Sequence, residues 1–288
     1  MIPQGKGMFI WQLPECEGGD YHKIVNSALG AKLSWVAIKV VNGTIPYAPQ
    51  GMASTYPLML ASTIQALKAA GIKVWGWGYM YGANPLGISW AKAEADITIS
   101  QTLGYQLEGY FIDPESEYKR SGAKVWAAVY MAAIRSAMPT TPLGLCSYRF
   151  PRYHPELPWA EFLRNCDFHV PQMYWEGAHN PGYQLETSVG QLRALKDIPI
   201  IPIGSAYPKG LWSPTYGDLM EFDNKAKELG LPGDGWWSWQ HIEDNVEWWN
   251  LISAMQWNIV QPPTPPVLTL EERVSKLESA ARSKGWNI

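Results

Sequence analysis

The stretch GYFIDPESEY, residues 109–118, decides how the rest of the chain is read. An apolar run, Tyr110-Phe111-Ile112, passes directly into acids at alternate positions, Asp113, Glu115 and Glu117. Strand side chains alternate between two faces, so these acids share one side for as long as the strand lasts. Pro114 stands between the first two, and proline, which cannot donate to a ladder, is tolerated where a strand is ending. The stretch reads as the carboxyl end of a buried strand that delivers carboxylates to a rim.

Similar apolar runs lie on both sides: 8–13 (MFIWQL), 35–41 (WVAIKVV), 73–81 (KVWGWGYMY), 143–149 (LGLCSYR), 168–175 (FHVPQMYW), 198–207 (IPIIPIGSAY) and 235–240 (GWWSWQ). Most are continuous rather than alternating, as strands covered on both faces are. Between them, periodic stretches at 20–31, 57–70, 87–103, 121–137, 158–165, 184–196, 214–229 and 243–255 read as helices. Ser213-Pro214 suits a helix entry, while Gly71 and Gly230 follow helical ends. An eightfold strand-helix alternation over roughly 250 residues favours an α/β fold of the closed (β/α)8 TIM-barrel class over an open doubly wound sheet. The barrel is expected over residues 1–258.

After Trp257 the pattern stops, and a Pro-rich linker is expected over 259–266, containing QPPTPP at 261–266. In the tail, 267–288, Leu270, Val274, Leu277 and Ala281 recur at coiled-coil-like steps, which predicts a short helix. Two readings stay open for it: homo-oligomerisation through that helix, or a frayed amphipathic helix docked on the barrel.

Composition narrows the partners. Hydrophobic residues at 47% against 17% charged predict a packed globular core. A net charge of −3 offers no basic footprint, so nucleic acid is not an expected partner. The start MIPQGKGMFIWQL lacks the layout of a secretory signal, and no apolar run approaches the length of a membrane span. The expectation is a soluble chain, cytoplasmic at synthesis and without a membrane partner. Cys16, Cys146 and Cys166 are an odd set without metal-site spacing and are expected to be free thiols. No His pair has metal-ligand spacing and no Gly-rich phosphate loop follows a strand, so neither metal nor cofactor is expected. The 16 Trp and 15 Tyr either fill the core or stack on sugars, and position must decide between these.

In (β/α)8 barrels the reacting groups sit where strands end. Asp113 and Glu115 should point into the barrel mouth, where two carboxylates so close cannot both ionise comfortably. One pKa rises, leaving a proton donor beside an anion, the pairing that glycoside hydrolysis uses. The competing reading has these acids capping the next helix or pairing with Lys119, Arg120 or Lys39. Other strand ends present Gln12, Lys39, Tyr79, Tyr81, Ser147, Arg149, Gln172, Tyr174, Tyr207, Trp237 and Trp239 as sugar contacts, joined by Glu117 and Glu176. Lys39 is read equally as a neutraliser of the acids. Trp75, Trp77 and Trp236 are expected to face the helices, and His154 to pack in a long loop, 148–159, that walls the cleft.

The segment YFIDPE resembles the Asp-x-Glu strand ends of chitinase-like family-18 and lysozyme-like family-25 glycoside hydrolases. MYW (173–175) resembles the chitinase Met-x-Tyr position, and GWWSWQ resembles the Trp-containing last strand of both groups. The resemblance runs over roughly residues 6–257. It implies Glu115 as general acid, Asp113 as its orienting and electrostatic partner, and Tyr174 as a hydroxyl at the reacting centre. The chain departs from the pattern in having Gln12 where family-25 lysozymes carry a first-strand Asp, and in lacking the longer Asp-rich run of chitinases.

Two mechanisms follow. A 2-acetamido group of the substrate serves as nucleophile, or a second carboxylate works opposite Glu115, with Glu176 the first candidate and Glu15 or Glu17 the next. The expected partner is a polysaccharide of N-acetylated amino sugars. Bacterial peptidoglycan is the leading target, because barrel, Pro-rich spacer and small C-terminal module resemble the layout of phage-encoded endolysins. The alternative is a catalytically inactive carbohydrate-binding or structural barrel, such as a virion component. A deacetylase is disfavoured because no His and Asp metal triad is visible.

Overall fold

The computed structural model describes residues 1–82 and 87–257; the expected linker and helical tail lie outside the described residues. Eight parallel strands close into a barrel: β1 (Gly5–Ile10), β2 (Trp35–Asn42), β4 (Lys73–Met80), β5 (Tyr110–Pro114), β6 (Leu143–Tyr148), β7 (Phe168–Met173), β8 (Ile203–Ser205) and β9 (Gly233–Trp237). Pairing of β1 with both β2 and β9 makes the closure. The two-residue β3 (Ile45–Pro46) folds back antiparallel on the end of β2. The helices are α1 (Tyr21–Gly30), α2 (Tyr56–Ala69), α3 (Ile88–Gly104), α4 (Ala123–Ala137), α5 (Trp159–Leu163), α6 (Pro181–Leu195), α7 (Tyr216–Glu228), α8 (Trp239–Ile242) and α9 (Val246–Ala254). The chain thus has the TIM-barrel architecture that the alternation predicts.

Two strands sit about three residues earlier than their apolar runs imply. β1 ends at Ile10, and Leu13 already starts a buried 3-10 turn. β9 ends at Trp237, and Trp239 opens α8. Burial continues past the ladder in both places, so hydrophobicity marks the core and not the last hydrogen bond. Helix α7 begins after Thr215, whose hydroxyl accepts from Asp218 N–H in a capping box, and not at Ser213-Pro214.

The barrel interior is unusually aromatic. Phe111 packs against Phe9, Trp35, Trp75 and Phe168 at centroid distances of 5.5, 5.8, 5.2 and 5.8 Å. Room for Trp35 exists because the residues beside it along the sheet are glycines, Gly7 on the adjoining β1 and Gly235 on β9: a Cβ on Gly7 would stand 1.9 Å, and one on Gly235 2.6 Å, from its indole. Trp75 and Trp77 belong to this inner cluster and not to the helix side, which corrects the expectation. They share the parity of Tyr79 on β4, while Gly76 and Gly78 occupy the outer face beneath Tyr110. Trp236 does face the helices, with its ring 5.2 Å from Phe222.

Candidate active site

At the carboxyl ends of the strands the interior opens into a cavity of ≈ 240 Å³. Strand β5 points Phe111 and Asp113 inward, and Glu115 follows one step past the ladder at the start of a 3-10 turn. Both acids line the cavity, and Asp113 is only 5% exposed. One side-chain amide holds the pair: Gln172 Nε2, from β7, donates to Asp113 Oδ1 at 2.8 Å and to Glu115 Oε1 at 3.0 Å. Burial first, and the neighbouring Glu115 charge second, push the Asp113 carboxyl well above the usual carboxylate range, while Lys39 and Gln172 act against the shift. The result is a buried Asp113 carboxyl that holds its proton more tightly than an ordinary one, beside a second carboxyl at the mouth.

The walls are aromatic. Trp237 from β9 stacks on Trp11 with centroids 6.5 Å apart, meets Trp77 edge-on at 5.3 Å, and lies 6.3 Å from Tyr174. Tyr79 completes this side, its hydroxyl donating to Glu117 Oε2 at 2.8 Å, so Glu117 braces the rim. Burial pushes the Tyr174 hydroxyl and the Cys146 thiol well up, which keeps both protonated and neutral. The opening residues of the wall, Phe9 and Trp11, are not among the site residues expected from the sequence, nor are Trp77 and Cys146. The signal that could have found them is parity: each lies two positions along its strand from an inward residue.

Lys39 also lines the cavity. Its ammonium lies 4.6 Å from the centroid of Tyr47 and 5.1 Å from that of Trp77. Burial lowers its pKa to about 8 against the opposing pull of Asp113 and Glu115. Lys119 makes no pair with the acids, because its Nζ meets His154 Nδ1 at 2.9 Å and sits over Tyr148. His154 stacks on Tyr148 at 3.7 Å as a packed loop residue.

Other expected sugar contacts lie elsewhere. Ser147 takes the outward parity of β6 and is 2% exposed, donating from Oγ to Pro114 O at 2.9 Å; it fixes the end of β5 and does not reach the cavity. Trp239 is fully buried against Trp249, because β9 has already ended. Gln12 stands at the start of the turn after β1, with no capping hydrogen bond from its side chain, and is not part of the cavity wall, which Trp11 enters in its place. Tyr81 is turned toward Asn42, which its hydroxyl approaches at 3.4 Å, and its backbone N–H donates to Glu94 at 2.7 Å. Glu176 accepts from the Tyr207 hydroxyl and from Lys209, outside the cavity wall. Tyr207 in turn meets Tyr174 edge-on at 5.6 Å, and Arg149 lies over Phe150 nearby. The remaining candidates for a second carboxylate also stand outside the cavity wall: Glu15 is exposed and Glu17 accepts from Ser27.

Among the described residues no group of three or more His, Cys, Asp or Glu could hold a metal ion, and Cys16, Cys146 and Cys166 are buried free thiols. No described helix is long and apolar enough to cross a membrane.

No family model and no curated protein matches the chain. Its fold is similar to solved structures of low sequence identity. A class V chitinase from Nicotiana tobaccum superposes with a TM-score of 0.63 at 10% identity, covering 87% of this chain and 98% of that one. The spore cortex-lytic enzyme of Bacillus megaterium QM B1551 gives 0.59 at 11% identity, over 90% of this chain and 75% of that one. The endo-1,4-beta-D-mannanase of Thermotoga petrophila RKU-1 gives 0.61 at 12%, over 82% and 88%.

Proposed function

We propose that this barrel is a glycoside hydrolase acting on glycans of 2-acetamido sugars, with peptidoglycan as its leading target. One observation carries the reading: among the described residues, Asp113 and Glu115, tied together by Gln172, are the only carboxylates lining a largely aromatic cavity. A glycosidase with a protein nucleophile needs a second carboxylate about 5 Å across from its acid, and an inverting one needs a base about 6.5–9.5 Å away. Glu176, Glu15 and Glu17 do not line this cavity. The substrate's own acetamido oxygen fits the role instead.

In this mechanism the sugar stacks among Trp77, Trp237 and Trp11, and Glu115 donates its proton to the glycosidic oxygen as that bond breaks. The acetamido carbonyl oxygen bonds to the anomeric carbon, and the Asp113 carboxylate stabilises the positive charge that develops on the amide. Tyr174 offers a neutral hydroxyl donor at the reacting centre. Water then opens the cyclic intermediate, returning its proton to Glu115. The structural neighbours, a chitinase, a cortex-lytic enzyme and a mannanase, support a glycan substrate. A phage-lysin setting rests on the layout of barrel, Pro-rich segment and short C-terminal module.

The second reading, sugar binding without turnover, is favoured by the first strand's presenting Trp11 to the mouth where a carboxylate is otherwise expected. Assay of reducing ends released from purified cell walls, chitin oligomers and a mannan separates the two. Turnover of acetamido glycans that disappears in Glu115→Gln supports the enzyme. Binding by calorimetry with equal, negligible turnover in parent and variant supports the binding protein.

A further inference from the structure

Glu94, on α3, is 1% exposed and carries its carboxyl beneath the loops that follow β4 and β5. Both of its oxygens are engaged. Oε1 accepts from the backbone N–H groups of Tyr81 at 2.7 Å and Gly82 at 3.2 Å, and Oε2 accepts from the Tyr118 hydroxyl at 3.1 Å. A carboxyl buried this deeply is costly unless such donors hold it. Burial pushes it above the usual carboxylate range, and the three donors act against the shift.

Those donors belong to the two loops that carry the site. Tyr81 and Gly82 directly follow β4, just beyond the cavity residue Tyr79, and Tyr118 lies in the 3-10 turn Ser116–Lys119, which opens at Glu115. Tyr118 is fastened at both ends. Its backbone N–H donates to Glu115 O at 3.0 Å, and its fully buried side chain reaches Glu94, with the ring 5.2 Å from that of Phe162. The two loops also press on each other: Gly82 has a φ of +53°, and a Cβ there would stand 2.3 Å from the Tyr118 ring. On the other side of Glu115, Ser147 Oγ donates to Pro114 O at 2.9 Å. The main chain around Glu115 is thus tied before it by Ser147 and after it by Tyr118, and the second tie ends on Glu94.

We propose that Glu94 is a positioning residue for Glu115: through the Tyr118 hydroxyl it fixes the turn that aims the Glu115 carboxyl at the glycosidic oxygen. Glu94 stands outside the cavity wall and exchanges no proton with the substrate; it acts only by holding the turn. The inference rests on the glycosidase reading above, since only that reading gives Glu115 an oxygen to protonate.

The test compares parent, Tyr118→Phe, Glu94→Gln and Glu94→Leu, each checked by thermal melting. Two substrates are used: an acetamido-sugar oligomer, whose leaving oxygen must be protonated, and the same sugar carrying a dinitrophenyl ether, whose leaving group departs as a stable anion without a proton. Tyr118→Phe deletes one oxygen and should lower kcat/KM on the oligomer by about 10- to 100-fold, since a displacement of about 1 Å can cost that much. On the dinitrophenyl substrate it should stay within about threefold of the parent. Glu94→Gln keeps the tether, because its carbonyl oxygen accepts the two backbone amides and its NH2 group donates to the Tyr118 oxygen. It should stay within about threefold on both substrates. Glu94→Leu can do neither and should fall with Tyr118→Phe, the two losses not adding in the double variant. If Glu94→Leu does not fold, Tyr118→Phe against Glu94→Gln decides. Amide hydrogen exchange at position 118 needs no turnover and should quicken by about tenfold or more in Tyr118→Phe.

Equal losses on the two substrates would make the tether merely structural and overturn the proposal. So would an unimpaired Tyr118→Phe, a Glu94→Gln as slow as Tyr118→Phe, or unchanged exchange at position 118. A parent that cleaves neither substrate would defeat the glycosidase reading by itself, and the exchange comparison would still decide whether Glu94 holds the Glu115 turn.

Discussion

Glu115 and Asp113 are two positions apart, yet their surroundings divide them: Asp113 is sealed at 5% exposure and Glu115 stands one step beyond the strand, at the mouth. The outer group is the one able to reach a glycosidic oxygen. Glu115→Gln, which preserves shape and leaves an oxygen to accept from Gln172, should cost about 10²–10⁴-fold in kcat while oligosaccharide binding, measured by calorimetry, changes little. Asp113→Asn should also depress kcat, and it should remove one limb of the bell-shaped pH profile because only one carboxyl then titrates. A profile with both limbs intact would show that the pair does not control the rate. The period-two spacing made these acids legible in sequence. Gln172 stood out from the sequence only as one contact among many, because its bond to both acids links residues 57 and 59 positions apart.

At the scale of elements, strand ends decide which residues work. A shift of about three residues in β1 and β9 removes Gln12 and Trp239 from the mouth, admits Trp11 and keeps Trp237 there. Apolar runs report burial, and Leu13 and Trp239 are buried beneath turns and helices rather than in the ladder. The inner aromatic layer depends on missing side chains. Gly7→Ala would place a methyl 1.9 Å from the fully buried Trp35, which has no open side to yield into. Overpacking of this kind typically costs about 1–3 kcal/mol, and melting should fall by roughly 2–4 °C for each. An alanine variant that melts with the parent would mean that the layer repacks freely. Gly18 would be a poor control: a methyl there would meet no atom within 4 Å, but its φ of +64° strains any L side chain. Gly190, unobstructed and helical, should tolerate alanine.

For the whole molecule, stability and pH are linked through buried acids far from the mouth. Asp234, near the start of β9, is fully buried with both carboxyl oxygens lacking a hydrogen-bond partner. Burial, then the charge of Asp223, raise its carboxyl well above the ordinary value, although Lys227 and Lys6 oppose them. Its folded pKa exceeds its unfolded one. The stability carried by its protonated form is therefore complete below about pH 4 and is lost as pH rises toward the folded value. Asp234→Asn removes that loss, so its melting temperature should overtake the parent's progressively between about pH 4 and 8, by at least about 2 °C at the upper end. A gap independent of pH would mean that Asp234 is ionised in the folded protein.

The sequence by itself determined the eightfold strand-helix alternation, the strand that carries the acids and the end of the barrel to which they belong. These are properties of local periodicity and can be read within ten or twenty residues. Tertiary structure alone decided which of the many aromatics form wall and which form core, that Glu176 is taken up by Tyr207 and Lys209, and that the Gln172 amide ties Asp113 to Glu115. The reason is closure: a barrel mouth gathers side chains from Phe9 to Trp237, residues that only the pairing of β1 with β9 brings together.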